Sequence, residues 1–391
     1  MSKLFFSTKD GSIKNKLLQL LAVTLVMSMI VFSPVEVFAS YNQGYDINNG
    51  MFWFVWTNDK GNVNFNPTAS YNGYSVNWTS GQQGFNFTCG KGWDSGDEYR
   101  KVHYEGSFNP GNNGYLALYG WAELPAGSTY KVAEYYVVES YGNWTPPGTG
   151  AEYMGTLTSD GATYNIYRTT RINQPWIVDS GTGSFYQYWS IRQKKVQPGN
   201  NVSGNITFKN HVEAWKKAGM TIGDVSKYYQ VMETEGYESN GNSSINVYGI
   251  VNTPYVETIK INLWCGDSQA DVFYVNNNKV LTSAKYNYPT GNQAIFEMQV
   301  LDYDFVNWNG WKRFVPVVAL KSKQTNQYVT VANSTDPVKA NSSSISNAQK
   351  FYYQNNYGYV DFRSLYNNLS LDTSGKAANN NYSNFGIQYI Y

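Results

Sequence analysis

Histidine, cysteine and charge are all scarce in this chain. Its two histidines, His103 and His211, stand far apart in 391 residues, too few and too isolated for a metal cluster. No metal and no cofactor is expected. Its two cysteines, Cys89 and Cys265, allow at most one disulfide. They fall in what read as different halves of the chain, so two separate buried thiols are favoured over a bridge. Charged residues make up 15% of the chain and the formal net charge is +1, where an ordinary domain is about a quarter charged. That leaves no basic field for nucleic acid and no polybasic patch for a membrane surface.

Long apolar runs are missing too, apart from one at the start. Lys14 and Lys16 precede an apolar stretch from Leu17 to Phe32, and Val37-Phe38-Ala39 follows. This pattern fits a signal peptide over 1–39, with cleavage expected between Ala39 and Ser40 and export of the mature chain. The run is short for a membrane span. What the chain has in plenty is aromatic residues, 17% of the total, with 35 Tyr and 12 Trp. Flat rings stack on pyranose faces and amides bond hydroxyls, so the composition suits a protein that handles neutral sugars. Tyr and Trp also fill β-sheets, and composition alone leaves the two readings even.

From Tyr41 to about Gly249 short alternating runs are broken by Gly, Asn, Ser and Pro. Tyr74–Trp78, Tyr115–Tyr119, Thr163–Tyr167 and Phe185–Trp189 all have period two, which predicts an antiparallel sandwich. One segment differs. Asn210 reads as an N-cap with Glu213 three residues on, Val212 and Trp215 share a face, and Gly219 ends the turn. It predicts one short amphipathic helix on an all-β protein. Residues 250–257 read as a linker. Beyond them, three units of hydrophobic spacing repeat: Ile261–Trp264 with Asp271–Val275, Val317–Ser322 with Asn326–Val331, and Val360–Ser364 with Asn367–Leu371. A threefold repeat of about forty residues predicts a β-trefoil over 258–391, similar in its spacing to fascin-like or ricin-type lectin trefoils.

Two strands carry carboxylates where a buried side chain is expected: Val132–Glu139 and Val231–Tyr237. Side chains alternate along a strand, so Glu134 and Tyr136 share one face, and Glu233, Glu235 and Tyr237 share another. If the opposite faces pack on a second sheet, both sets point into a concave surface. One carboxylate can then attack an anomeric carbon while a protonated partner serves the leaving oxygen. A solvated, functionless sheet face carries about half the weight on spacing alone.

The surrounding residues add to this. Glu134-Tyr135-Tyr136-Val137-Val138-Glu139 and Glu235-Gly236-Tyr237-Glu238-Ser239-Asn240-Gly241 resemble the two signature segments of family-11 glycoside hydrolases, the small endo-β-1,4-xylanases. Gly90-Lys91-Gly92-Trp93, Gly120-Trp121, Thr158–Gly161, Arg171–Pro175, Gln187–Ser190 and the Asn210–Met220 helix fit in order, so the likeness covers nearly all of 41–249. The resemblance implies a jelly-roll catalytic domain over 40–249, shaped like a partly closed hand. It implies Glu134 as nucleophile and Glu235 as acid/base of a retaining pair about 5–5.5 Å apart that shares one proton. It places Asn86 against the acid/base, with a near-neutral optimum. Tyr119, Tyr136 and Arg171 hold the nucleophile and its sugar, and Trp56 is a stacking platform. Tyr115, Tyr229 and Tyr237 line the cleft, and Gln187 and Pro175 belong to the thumb, with Pro175 at its tip. Xylan and xylo-oligosaccharides are the expected substrate, and the chain is expected to act as a monomer.

Two residues depart from that pattern. Trp176 follows Pro175 where a small polar residue is usual. Glu233 adds a third carboxylate on the cleft face, where it would raise the cost of ionising Glu235; a place at the cleft rim in solvent is the even alternative. Two rival readings are a sugar-binding sandwich without catalysis, disfavoured by the opposed glutamates, and a cellulase of related architecture. The C-terminal part is expected either to bind insoluble polysaccharide or to contact a protein or the cell surface. Trp264, Trp308, Trp311, Tyr352 and Tyr366 are its candidate platforms.

Overall fold

The computed structural model describes residues 40–263, 271–284, 291–308, 310–333, 335–356, 359–371, 377–378 and 385–389. Residues 1–39, read from sequence as a signal peptide, Trp264, Cys265 and the side chains of Trp308 and Trp311 lie outside the described residues. The first half is a two-sheet sandwich. Nine strands form the larger sheet in the order β1 (Ser40–Tyr45), β2 (Phe52–Thr57), β5 (Asn86–Trp93), β13 (Gln230–Tyr237), β7 (Gly114–Glu123), β8 (Val132–Tyr141), β11 (Thr182–Arg192), β10 (Ala162–Pro175) and β9 (Glu152–Ser159). Five form the smaller one: β12 (Gly199–Thr207), β6 (Arg100–Asn109), β14 (Gly241–Val251), β4 (Gly73–Ser80) and β3 (Gly61–Ser70).

Alternation explains the layering. Tyr74, Val76 and Trp78 of β4 are buried in the space between the sheets with Leu116, Leu118, Tyr135 and Val137 of the larger sheet. The other face of the larger sheet carries Tyr115, Ala117, Tyr119, Tyr136 and Val138 in a separate aromatic cluster. That face is concave and holds the site.

The predicted helix forms, but it begins earlier, as α1 (Phe208–Lys217). Phe208 belongs to the same buried stripe as His211, Val212 and Trp215, so burial of the stripe draws the start back by a turn. Thr207 occupies the N-cap without a side-chain cap bond. Asn210, expected as the cap, instead donates to Ser159 Oγ at 2.9 Å. The end is as expected: Gly219 adopts φ +78°, Gly219 N–H donates to Lys216 and Met220 N–H to Trp215, closing a Schellman turn.

The stretch read as a linker is mostly strand. β14 runs to Val251 and β15 (Tyr255–Leu263) follows at once. In the second half β15, β18 (Phe296–Trp308), β19 (Trp311–Ser322), β22 (Phe351–Asn356), β23 (Tyr359–Ser364) and β26 (Phe385–Tyr389) pair in succession, and β26 pairs back onto β15. Three hairpins attach to this ring: β16 (Asp271–Val275) with β17 (Leu281–Ala284), β20 (Gln327–Thr330) with β21 (Lys339–Ser342), and β24 (Ser370–Leu371) with β25 (Ala377–Ala378). Each sequence repeat falls at the same place, where a ring strand meets its hairpin: Leu263 opposite Asp271, Lys321 opposite Tyr328, Arg363 opposite Ser370.

Candidate active site

The concave face of the larger sheet forms an open cleft lined by residues between Tyr41 and Tyr237. Its volume of about 1960 Å³ exceeds the roughly 300–1,000 Å³ of small-molecule pockets, which suits a segment of polymer. Glu134 on β8 faces Trp121 of β7 on one side and Gln187 of β11 on the other. Tyr119 Oη donates to Glu134 Oε1 and Gln187 Nε2 donates to Glu134 Oε2, each at 2.7 Å. Trp121 Nε1 in turn donates to Tyr119 Oη at 2.9 Å, which fixes that hydroxyl. Burial raises the Glu134 pKa, while Gln187, Tyr119, Tyr136 and the Arg171 charge favour its ionised form. These partners hold the carboxylate still and offset part of the rise that burial causes.

Glu235 lies on the neighbouring strand but one, opposite Thr88 of β5 and Tyr115 of β7. Thr88 Oγ1 donates to Glu235 Oε2 at 3.1 Å. Burial is the main cause that pushes Glu235 up to about 7, and the Glu134 charge adds to it against Tyr115, Thr88 and Arg171. Burial raises both carboxyls of the cleft, and Glu235, near 7, can hold a proton near neutrality.

The aromatic residues named from sequence gather around this pair. Tyr136 stacks on Trp189 with centroids 3.9 Å apart, and Tyr115 meets both rings edge-on. Tyr229 packs on Phe54 at 4.7 Å and beside Tyr119 at 6.0 Å. Trp56 and the exposed Tyr237 line the cleft with Arg171, Pro175 and Gln187. Pro175 is the last residue of β10, opposite Thr182, so the hairpin tip passes to 176–181. Trp176 folds back over Gly183, where a Cβ would come within 2.1 Å of its ring, and its Nε1 donates to Asp179 at 2.7 Å.

Two placements differ from expectation. Asn86 lines the cleft, but its Oδ1 is buried without a partner, and the hydroxyls on Glu235 are those of Tyr115 and Thr88. Sequence reasoning missed Thr88. Alternation was the available signal, since Asn86 and Thr88 share a face and Thr88 is the residue opposite Glu235. Glu233 is not at the rim. It is fully buried, and neither oxygen has a hydrogen-bond partner. It lies between Gly90 and Ala117, where a Cβ at position 90 would sit 3.0 Å from Glu233 Cα. Burial, then the Glu235 and Glu134 charges, hold its pKa well above the usual carboxyl range, so Glu233 keeps its proton.

An aromatic trough across a β-sandwich, with two buried carboxyls on strands either side of β7, is the equipment of a glycoside hydrolase. Residues 48–246 match the pattern of Glycosyl hydrolases family 11, and the chain belongs to that family. The Endo-1,4-beta-xylanase 2 of Rhizopus oryzae is 46% identical over 200 residues, 51% of this chain and 83% of that protein. The Ethylene-inducing xylanase of Penicillium digitatum is 42% identical over 226 residues, 58% of this chain and 95% of that protein. The Endo-1,4-beta-xylanase B of Penicillium oxalicum is 44% identical over 198 residues, 51% of this chain and 58% of that protein.

Proposed function

We propose that this protein is a secreted, monomeric endo-β-1,4-xylanase that hydrolyses internal bonds of xylan with retention. The observation that carries the reading is the different setting of the two carboxyls: Glu134 with donors on both oxygens, and Glu235 raised to about 7. In the first step Glu134 attacks the anomeric carbon while Glu235 gives its proton to the leaving glycosidic oxygen. The glycosyl ester neutralises Glu134, which removes the nearby charge and lets Glu235 act as base. Glu235 then takes a proton from water, the water oxygen bonds the anomeric carbon, and Glu134 departs as carboxylate. Tyr119, Tyr136, Gln187 and Arg171 hold the nucleophile and its sugar. Trp56, Tyr115, Tyr229, Tyr237 and Pro175 bind the chain on either side.

Asn86 and Glu233 tune the acid/base. Glu233 acts as a neutral group that fills space beside Glu235 and keeps water from solvating its anion. Export rests on the signal-like segment before Ser40. The ring of six strands with three hairpins supports a β-trefoil for the second half, and we read it as a module that binds insoluble polysaccharide.

Reducing-end release tests the enzyme. Native protein should cleave xylan far faster than cellulose, and NMR of the first product should show the β-anomer. An α-anomer as first product overturns the retaining mechanism, and no release from xylan overturns the activity. Because the acid form of Glu235 is the active one, kcat/KM should fall as pH rises through about 7. Adsorption of the full chain to insoluble xylan, in the Glu134→Gln background, tests the C-terminal role.

A further inference from the structure

Part of the outer face of the smaller sheet, on β6 and β14, is covered, and what covers it is the second half of the chain. On β6, Val102 and Tyr104 point into the sandwich core. Alternation sends Lys101, His103 and Glu105 outward, where a lone sandwich would leave them in solvent. Lys101 and His103 are nevertheless buried, at 7% and 8% exposure.

Their cover is the β18–β19 hairpin. Lys101 Nζ donates to the Asp302 carboxylate at 3.2 Å and to Tyr303 O at 2.7 Å, with Asp304 3.7 Å away. His103 lies flat on Phe305, centroids 3.7 Å apart at 11°. Tyr248 of β14 flanks the same ring at 4.8 Å, and Phe314 meets it edge-on. The charges also cross the other way, since Lys312 Nζ donates to both oxygens of Glu105 at 2.7 Å. Only residues 252–254 join β14 to β15, and the first of them is tied as well. Asn252 N–H donates to Tyr99 O, and its side chain donates to Asp302 at 2.8 Å.

We infer that this face is a docking surface built for the chain's own C-terminal barrel, and that the two halves move as one body. A base on the sheet meets acids on the hairpin, a base on the hairpin meets an acid on the sheet, and a stacked ring pair lies between them. Opposed charge pairs of this kind fix register and reject wrong seatings, and the aromatic stack supplies area that salt does not screen. Among the described residues the cleft lining contains none beyond Tyr237, so the docked barrel leaves the cleft open. A ligand held by the barrel would therefore sit at a fixed offset from the cleft. The gain in local concentration then depends on that geometry and not on the reach of a flexible tether. The inference is independent of what the barrel binds and of the proposed activity.

Small-angle scattering of the full chain tests it without any substrate. The native protein should scatter as a single compact body, with a radius of gyration near the ~21 Å expected for its length. Glu105→Lys combined with Lys101→Glu should raise that radius by about 3 Å and leave hydrolysis of soluble xylan unchanged. The exchange Glu105→Lys with Lys312→Glu restores one pair in reverse and should return the native radius, which separates undocking from misfolding. Native scattering that requires independently moving halves overturns the inference. So does a Glu105→Lys with Lys101→Glu variant that is folded and as compact as the native protein.

Discussion

Glu134 and Glu139 both lie buried on β8 and face opposite ways, and the two pockets treat a carboxylate differently. Glu139 points between the sheets. It accepts from Tyr104 Oη at 2.9 Å, Tyr164 Oη at 2.6 Å and Arg192 at 2.5 Å, so strands of both sheets hold one charge. Glu134 points into the cleft with two neutral donors and shares its surroundings with two other carboxyls. Burial raises both pKa values, so burial does not mark the reactive one. The difference is what opposes it. A full guanidinium makes Glu139 a fixed part of the core, while Glu134 shares a field with Glu235 that moves when a proton or a sugar arrives.

The largest effect should come from breaking the cleft side. Glu134→Gln removes the proposed nucleophile and keeps its shape, so kcat/KM on xylan should drop by roughly 10⁴-fold or more, about 5.5 kcal/mol in the barrier, with melting temperature nearly unchanged. The core side should respond in the reverse way. Glu139→Ala leaves Arg192 and two buried hydroxyls without their acceptor and should cost about 3 kcal/mol of stability by denaturant titration. The pH–rate profile of the folded fraction should stay where it was. A Glu139→Ala protein of native stability would show that the core carboxylate is not the tie the geometry describes.

A second buried group on the core side sharpens the point by having no partner at all. His211 is fully buried against Tyr164 and Trp215, and neither ring nitrogen has a hydrogen bond. Burial lowers its pKa to about 4, so the native state binds its proton later than the unfolded chain, whose histidine titrates near 6.5. Stability therefore falls as pH drops from about 6.5 towards 4, by roughly 2 kcal/mol at pH 5 from this group. His211→Leu should remove that part of the acid sensitivity, and equal slopes of melting temperature against pH in both proteins would count against it.

Much of this was legible before the structure. Period two in Val132–Glu139 already sends Glu134 and Glu139 to opposite faces, and the motifs around Glu134 and Glu235 lie in one sandwich. What was not legible depends on which strands become neighbours. Thr88 meets Glu235 only because β5 pairs with β13. Glu233 is enclosed because Gly90 and Ala117 lie on its two sides, residues remote from it in sequence. The helix start moved because Phe208 finds a core. The contacts of Lys101 and His103 with the second half join residues about two hundred positions apart, which no local pattern encodes.

The smallest expected effects test the division of labour around Glu235, and they have opposite signs. Thr88 favours the ionised form of Glu235 by donating to it. Thr88→Val should therefore move the basic limb of kcat/KM upward by about 0.5 pH unit. Glu233 makes no hydrogen bond, and in the protonated form that its burial favours it does not raise Glu235 by repulsion, the route the sequence pattern suggested. It can do so by excluding water. Glu233→Ala opens space for solvent beside the anion and should move the limb downward by about 0.5 unit, while Glu233→Gln keeps the volume and should leave it in place. If Gln moves the limb as far as Ala does, Glu233 carries charge at working pH. The cleft would then hold two anions, and the contrast with the saturated pocket of Glu139 would be larger than the structure implies.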